Sequence, residues 1–165
     1  MDSYLAIEAL MAQKYGQATT TRKAIGDFML SPDHAVNVKS NNVDKQNYSP
    51  NMISIKKMHE WVFEKRKDLS FLFVNYKVEA GKPKILKEIG PIPIEQLSWD
   101  CLTIEAQGYG VIQMLGCAPK IVKTQTKRDF YEGFLAAYGK YRQKELRKHE
   151  KFSKRFIKDL DSINW

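Results

Sequence analysis

The sequence predicts a single mixed α/β (α+β) domain that ends in a long helix. Apolar residues recur at near-helical spacing at both ends of the chain, while β-prone runs fill most of the middle. The 165 residues suit one domain, and no repeat, low-complexity tract or linker divides residues 1–165. With 43% hydrophobic and 12% aromatic residues, the chain can bury a core without disulfide support.

Taken in chain order, residues 3–15 pattern as an amphipathic helix. Leu5, Ile7, Leu10 and Met11 fall mostly on one side, Asp2 or Ser3 is available as a cap, and Gly16 suits the end. Phe28 to Leu30 and Ala35 to Val38 are β-prone runs joined by Ser31-Pro32-Asp33-His34, a hairpin pattern. Asn41 to Ser49 is polar and predicts a loop. Ser49-Pro50 then predicts a helix start, Ser as cap and Pro in the first turn. Ile53, Ile55, Met58, Trp61 and Val62 form its apolar side up to about Lys65. Leu69 to Val78 is strongly β-like, and Gly81-Lys82-Pro83 turns the chain into a partner strand over Lys84 to Ile89. Pro91 and Pro93 predict an end to regular pairing, or an edge. Cys101 to Ala106 and Val111 to Leu115 predict two more strands around Gln107-Gly108-Tyr109-Gly110. From Thr126 to about Leu160 the spacing is helical. Thr126 and Asp129 imitate a capping box, and Gly133 and Gly139 are points of weakness or bending.

A net charge of +8 and a pI near 9.4 point to a polyanionic partner, most often nucleic acid. Nine Lys/Arg between residues 140 and 158, against Glu145 and Glu150, carry a net +7 of that charge. Two cysteines, Cys101 and Cys117, are too few for a disulfide scaffold or a four-cysteine zinc site. No apolar run reaches the ~18 residues of a membrane span, and Met1-Asp2-Ser3-Tyr4 lacks the basic start of a signal peptide. The expectation is a soluble protein of a reducing, cytoplasmic compartment with no membrane partner.

The chemistry concentrates between Gly26 and Ser40. Along a strand, side chains alternate, so Asn37 and Lys39 share one face while Val36 and Val38 enter the core. A hairpin brings Asp27 beside them. Hard Mg²⁺, or Mn²⁺, takes oxygen ligands, and Asp27, the Asn37 amide oxygen and the Val38 carbonyl offer them. Such an ion polarises a phosphodiester, and Lys39 offsets charge in the transition state. The plainer reading makes Asp27 a turn residue and Asn37 and Lys39 a solvated strand face.

This arrangement resembles the PD-(D/E)XK nuclease motif. Lys39-Ser40-Asn41-Asn42, followed by Ser49-Pro50-Asn51-Met52-Ile53-Ser54, is similar to the active-site-to-recognition segment of the HincII-like type II restriction endonucleases. Phe71 to Tyr76 is similar to a central core strand of that family, Thr103 to Met114 to a strand pair, and Thr126-Lys127-Arg128-Asp129-Phe130 to the opening of its terminal helix. The resemblance covers roughly residues 26–158. It implies a nuclease-like mixed sheet flanked by helices. It also implies a deoxyribonuclease that cuts double-stranded DNA at a short palindrome as a C2 homodimer, in a prokaryotic or phage setting. Asp27, Asn37 and Lys39 would be catalytic, with Mg²⁺ (Mn²⁺ possible) held by Asp27, Asn37 and Val38. Asn41, Tyr48 and Asn51 would contact DNA. Asn37 stands where the family carries a carboxylate, so one negative charge is missing.

Other residues have two readings each. Tyr109, between two glycines, stacks on DNA or fills a turn, and Gln113 faces the groove or sits in the sheet. Lys148, Lys151 and Arg155 belong to a phosphate-binding stripe or to a solvated helix face. Glu8 is a third metal-site acid or, the commoner case, an exposed helix carboxylate. Two further functions stay open: a nuclease-fold protein that binds DNA without cutting it, and a small basic RNA- or DNA-binding protein of unrelated ancestry.

Overall fold

Among the described residues, seven strands and three α-helices form in the order α1 (Ser3–Lys14), β1 (Phe28–Ser31), β2 (His34–Asn42), β3 (Asn51–Ser54), α2 (Ile55–Met58), β4 (Asp68–Glu79), β5 (Lys82–Pro93), β6 (Leu102–Glu105), β7 (Val111–Met114) and α3 (Lys127–Ser162). The computed structural model describes residues 2–20, 25–45, 49–116 and 118–162. The expected hairpin around Pro32 pairs Phe28 with Val36. β2 then runs parallel to β4, from His34 opposite Asp68 to Asn42 opposite Tyr76, and β4 turns back into β5. The result is a mixed four-stranded sheet, β1-β2-β4-β5, beside an antiparallel sheet, β3-β7-β6.

Leu69 to Val74 of β4 are all buried, because this strand is covered on both faces. On one face, Ile7, Met11 and Ala12 of α1 pack against Phe28, Val36, Val38, Leu72 and Val74. On the other, Phe71 and Phe73 meet Ile112 and Met114 of the second sheet, Met58 of α2, and Phe130 and Phe134 of α3. The architecture is mixed α/β with a long C-terminal helix, as predicted.

Several elements differ from expectation. The helix predicted from Ser49 begins five residues later. Asn51–Ser54 is a strand because Met52 and Ile53 are buried in the second sheet, with Asn51 opposite Gln113 and Ile53 opposite Ile112. Ser54 supplies the cap, its hydroxyl accepting from the Lys57 N–H at 3.3 Å, whereas the Ser49 hydroxyl accepts from Gly116. After Met58 the helix widens into π-helical turns over His59–Glu64. β5 continues through Pro91 to Pro93. It tolerates them because it is an edge strand, and two of its residues, Gly90 and Pro91, bulge opposite the single Leu72 of β4 between Ile89 and Ile92. On α1, Leu5 and Leu10 point outward and the i, i+4 pair Ile7 and Met11 makes the core contact.

α3 opens with both capping-box bonds. The Asp129 N–H donates to the Thr126 hydroxyl at 3.1 Å, and the Thr126 N–H donates to the Asp129 carboxylate at 3.0 Å. Neither glycine breaks it. Gly133 is where Trp99 crosses the helix: an added Cβ would lie 2.4 Å from Trp99 Cδ1, and the indole N–H donates to the Phe130 carbonyl at 3.0 Å. From Arg142 onward every described residue except Glu145 is exposed, so the helix leaves the body. Among the described residues no helix is long and apolar enough to cross a membrane.

Candidate functional site

A cleft of about 590 Å³ opens where α1, the approach to β1, the middle of β2 and the end of β3 meet. Glu8, Asp27 and Asn37 line it, with Thr20, Ser54 and Lys57 around them. The geometry starts at Gly26. A Cβ there would lie 2.7 Å from the Val36 carbonyl oxygen, so only glycine lets the chain come this close to β2. The Asp27 N–H donates to that same carbonyl at 2.8 Å, and the Asp27 carbonyl accepts from the Thr20 N–H at 2.8 Å. The Thr20 hydroxyl donates to the Gly26 carbonyl. Asp27 is thereby fixed from both sides.

Its carboxylate accepts from the Val38 N–H at 2.6 Å. In an extended strand the N–H and C=O of one residue point to the same edge. The Val38 carbonyl is therefore directed to the edge that holds Asp27. Val36 and Val38 enter the core against α1, and Asn37 alternates with them into the cleft.

Burial raises the Glu8 pKa to about 7, reinforced by the negative charge of Asp27 and opposed by Lys39. Asp27 is also raised, by burial first, while the Val38 N–H and Lys39 pull it down. Lys39, half-buried on β2, is lowered by loss of solvent, with Asp27 and Glu8 holding it up. Two carboxyl groups thus line one cleft, and the Lys39 ammonium, which is not part of the lining, acts on both through its charge. Among the described residues no group of three or more His, Cys, Asp or Glu side chains assembles into a metal cluster. The cleft supplies two acids and an amide. All are oxygen donors, the set hard Mg²⁺ takes, and a divalent cation would relieve the repulsion between Glu8 and Asp27.

Asp27, Asn37, Lys39 and Val38 are brought together; the residues expected to touch DNA are not collected with them. Asn41 is buried in the first sheet, its amide donating to Asn75 Oδ1 at 3.2 Å, so it is not displayed to a groove. Tyr48 lies outside the described residues. Asn51 is exposed opposite Gln113, one residue before Met52 at the cleft, and the Gln113 amide donates to the Ser49 carbonyl at 3.1 Å. Tyr109 is 74% exposed at the β6–β7 turn. Lys148, Lys151 and Arg155 stand on the exposed half of α3, outside the cleft lining, and Lys148 pairs with Glu145 at 3.3 Å.

Sequence reasoning gave Glu8 the exposed reading; the structure half-buries it in the cleft. The signal was its place beside Ile7, at the margin of the buried stripe, but only the packing of α1 against β2 brings it to Asp27. Lys57, one turn into α2, was not anticipated. No family model matches the chain, and no curated protein matches it. The likeness to the PD-(D/E)XK nucleases rests on the residues themselves.

Proposed function

We propose that this chain is a Mg²⁺-dependent deoxyribonuclease of the PD-(D/E)XK type, a site-specific endonuclease acting on double-stranded DNA as a homodimer. The observation that carries the reading is the meeting of Glu8, Asp27 and Asn37 in one cleft, with the Lys39 charge acting on both acids. Glu8, Asp27 and Asn37, with the Val38 carbonyl at the same edge, would hold the ion. Bound Mg²⁺ supplies Lewis-acid polarisation of the scissile phosphate. Lys39 stabilises the negative charge that develops on the phosphoryl oxygens, from a site where little water screens it. Without the ion Glu8 keeps its proton to about 7, and it would give that proton up on taking the ion as a ligand. The Val38 N–H fixes one Asp27 oxygen and leaves the other for the ion. Outside the cleft, the basic face of α3 supports phosphate contacts.

Asn37 favours a second reading. An amide brings oxygen but no charge, and a site with one fewer acid suits a protein that binds DNA without cutting it. Supercoiled plasmid incubated with the chain and a series of Mg²⁺ concentrations separates the readings. Discrete fragments that disappear on chelation are expected. Salt-sensitive gel shifts with intact plasmid at every Mg²⁺ and Mn²⁺ concentration would overturn the nuclease.

A further inference from the structure

We propose that the exposed half of α3 is a self-association surface that pairs antiparallel with the same segment of a second copy of this chain. The pairing stands on the helix alone and is independent of the chemistry in the cleft. Beyond Tyr141 the helix extends for about 30 Å at 1.5 Å per residue. Leu146, Phe152, Phe156, Ile157 and Leu160 are each between 54% and 64% exposed there. At 3.6 residues per turn their side chains fall within an arc of roughly 140°. Lys144, Arg147, Lys151, Lys154, Arg155 and Lys158 occupy the opposite arc. Arg142, Glu145, His149 and Ser153 fall within the arc of the apolar residues and interrupt it. A monomer would leave its apolar residues in water, whereas a second helix covers them and leaves the basic face outside.

Charge selects both the occupant and its direction. In a parallel, in-register pair Arg142 would face Arg142 of the partner subunit, and Glu145 would lie beside Glu150 of the partner subunit. In an antiparallel pair centred near Ser153, Leu146 meets Leu160 of the partner subunit. Phe152 then meets Phe156 of the partner subunit, and the small Ser153 lets the axes approach at the crossing point. Lys148, which pairs with Glu145 on its own helix, falls beside Asp159 of the partner subunit, and the two-fold axis repeats that pair. The partner's Tyr141 lies beyond Ser162 in this register, so the two bodies sit at opposite ends without overlap. A groove of about 330 Å³ also lies at the right level. Tyr109, Tyr138, Tyr141 and Leu146 line it together with the charged Arg142 and Glu145, and Leu160 of the partner subunit would reach its apolar part.

The test is sedimentation equilibrium of the full chain. A dimer is expected at about 10 μM, in the range of ordinary specific association. Phe156→Glu, at an exposed position, should yield a monomer with an unchanged circular dichroism spectrum, and Ile157→Lys provides a second break should the first not fold. Lys148→Glu should weaken the dimer about tenfold, since two symmetric exposed pairs are removed and replaced by repulsion. Adding Asp159→Lys should restore it. Parallel helices would keep these two residues apart, so an absence of rescue overturns the antiparallel register. A parent chain that stays monomeric at about 100 μM overturns the proposal. So does a monomer that binds phosphatidylglycerol vesicles through Phe156, since the stripe would then belong to a lipid surface.

Discussion

Glu8 would ionise near pH 4.5 in water, yet beside Asp27 it keeps its proton to about 7. At the scale of single residues this is the strongest departure in the cleft, and the hardest to read from sequence. Asp27, Asn37 and Lys39 were legible because strand alternation and a Pro-Asp turn fix where they go. Nothing near Glu8 in the chain names its partner. Lys39→Ala should slow cleavage by about 10²–10³, the usual worth of a positioned electrostatic group, while metal-free DNA binding persists. Single-turnover cleavage and gel shifts at matched protein measure the two effects, and equal cleavage rates would remove Lys39 from the site. Asn37→Asp should lower the Mg²⁺ concentration needed for half-maximal cleavage, because a third carboxylate adds charge to the ion's ligands. In the metal-free protein that new acid would meet Asp27 and Glu8 and have its pKa raised. The bound ion reverses this penalty. A Mg²⁺ titration of both forms decides, and an Asp form needing as much metal or more would show that position 37 is no ligand.

At the scale of elements, local signals were reliable where tertiary pairing did not compete. The capping box at Thr126 and Asp129 forms as its spacing predicts. Ser49-Pro50 carries an equally good helix signal, but Met52 and Ile53 gain more from pairing with β7, far along the chain. Ser54 then provides a second cap. Gly133 looked like a flaw in α3 and is instead the notch that admits Trp99. Gly133→Ala would raise intrinsic helix propensity by about 1 kcal/mol, yet it should destabilise the protein, because its methyl must displace the indole and break the bond to the Phe130 carbonyl. Chemical denaturation checks the sign; net stabilisation would mean that Trp99 moves freely. The basic face of the same helix carries a separate expectation. Neutralising Lys148, Lys151 and Arg155 together should flatten the dependence of DNA binding on salt, by about one unit of log–log slope for each phosphate that is no longer neutralised. An unchanged slope assigns that face to solvent or to the dimer contact.

At the scale of the whole molecule, helical ends around a β-rich middle were visible in the periodicity. The division of seven strands into two sheets was not, since β3 and β7 find each other only across the intervening chain. That division creates the cleft, and the cleft stores a strain that pH should reveal. Between pH 4.5 and about 7, Glu8 stays protonated in the fold and ionises when unfolded. The native chain then binds more protons than the unfolded chain, so stability falls as pH rises through this window. Asp27, raised above 3.8, acts in the same direction. Lys39 acts oppositely: lowered by burial, it sheds its proton earlier in the fold, and its contribution rises with pH up to 10.5. Glu79 and Asp129 are held low by Lys77 and Thr126, so they lose their stabilising effect only below 4.5 and 3.8 respectively. Thermal unfolding should therefore give a lower Tm at about pH 7.5 than at about pH 5, the interval set by the Glu8 window. Mg²⁺ should raise Tm at the higher pH, where both acids are ionised and bind it, and much less at the lower. Glu8→Gln should flatten the pH slope and shrink the Mg²⁺ response together. A Tm that climbs from pH 5 to 7.5, or a Mg²⁺ response untouched by Glu8→Gln, would separate Glu8 from Asp27 and leave the cleft without its ion.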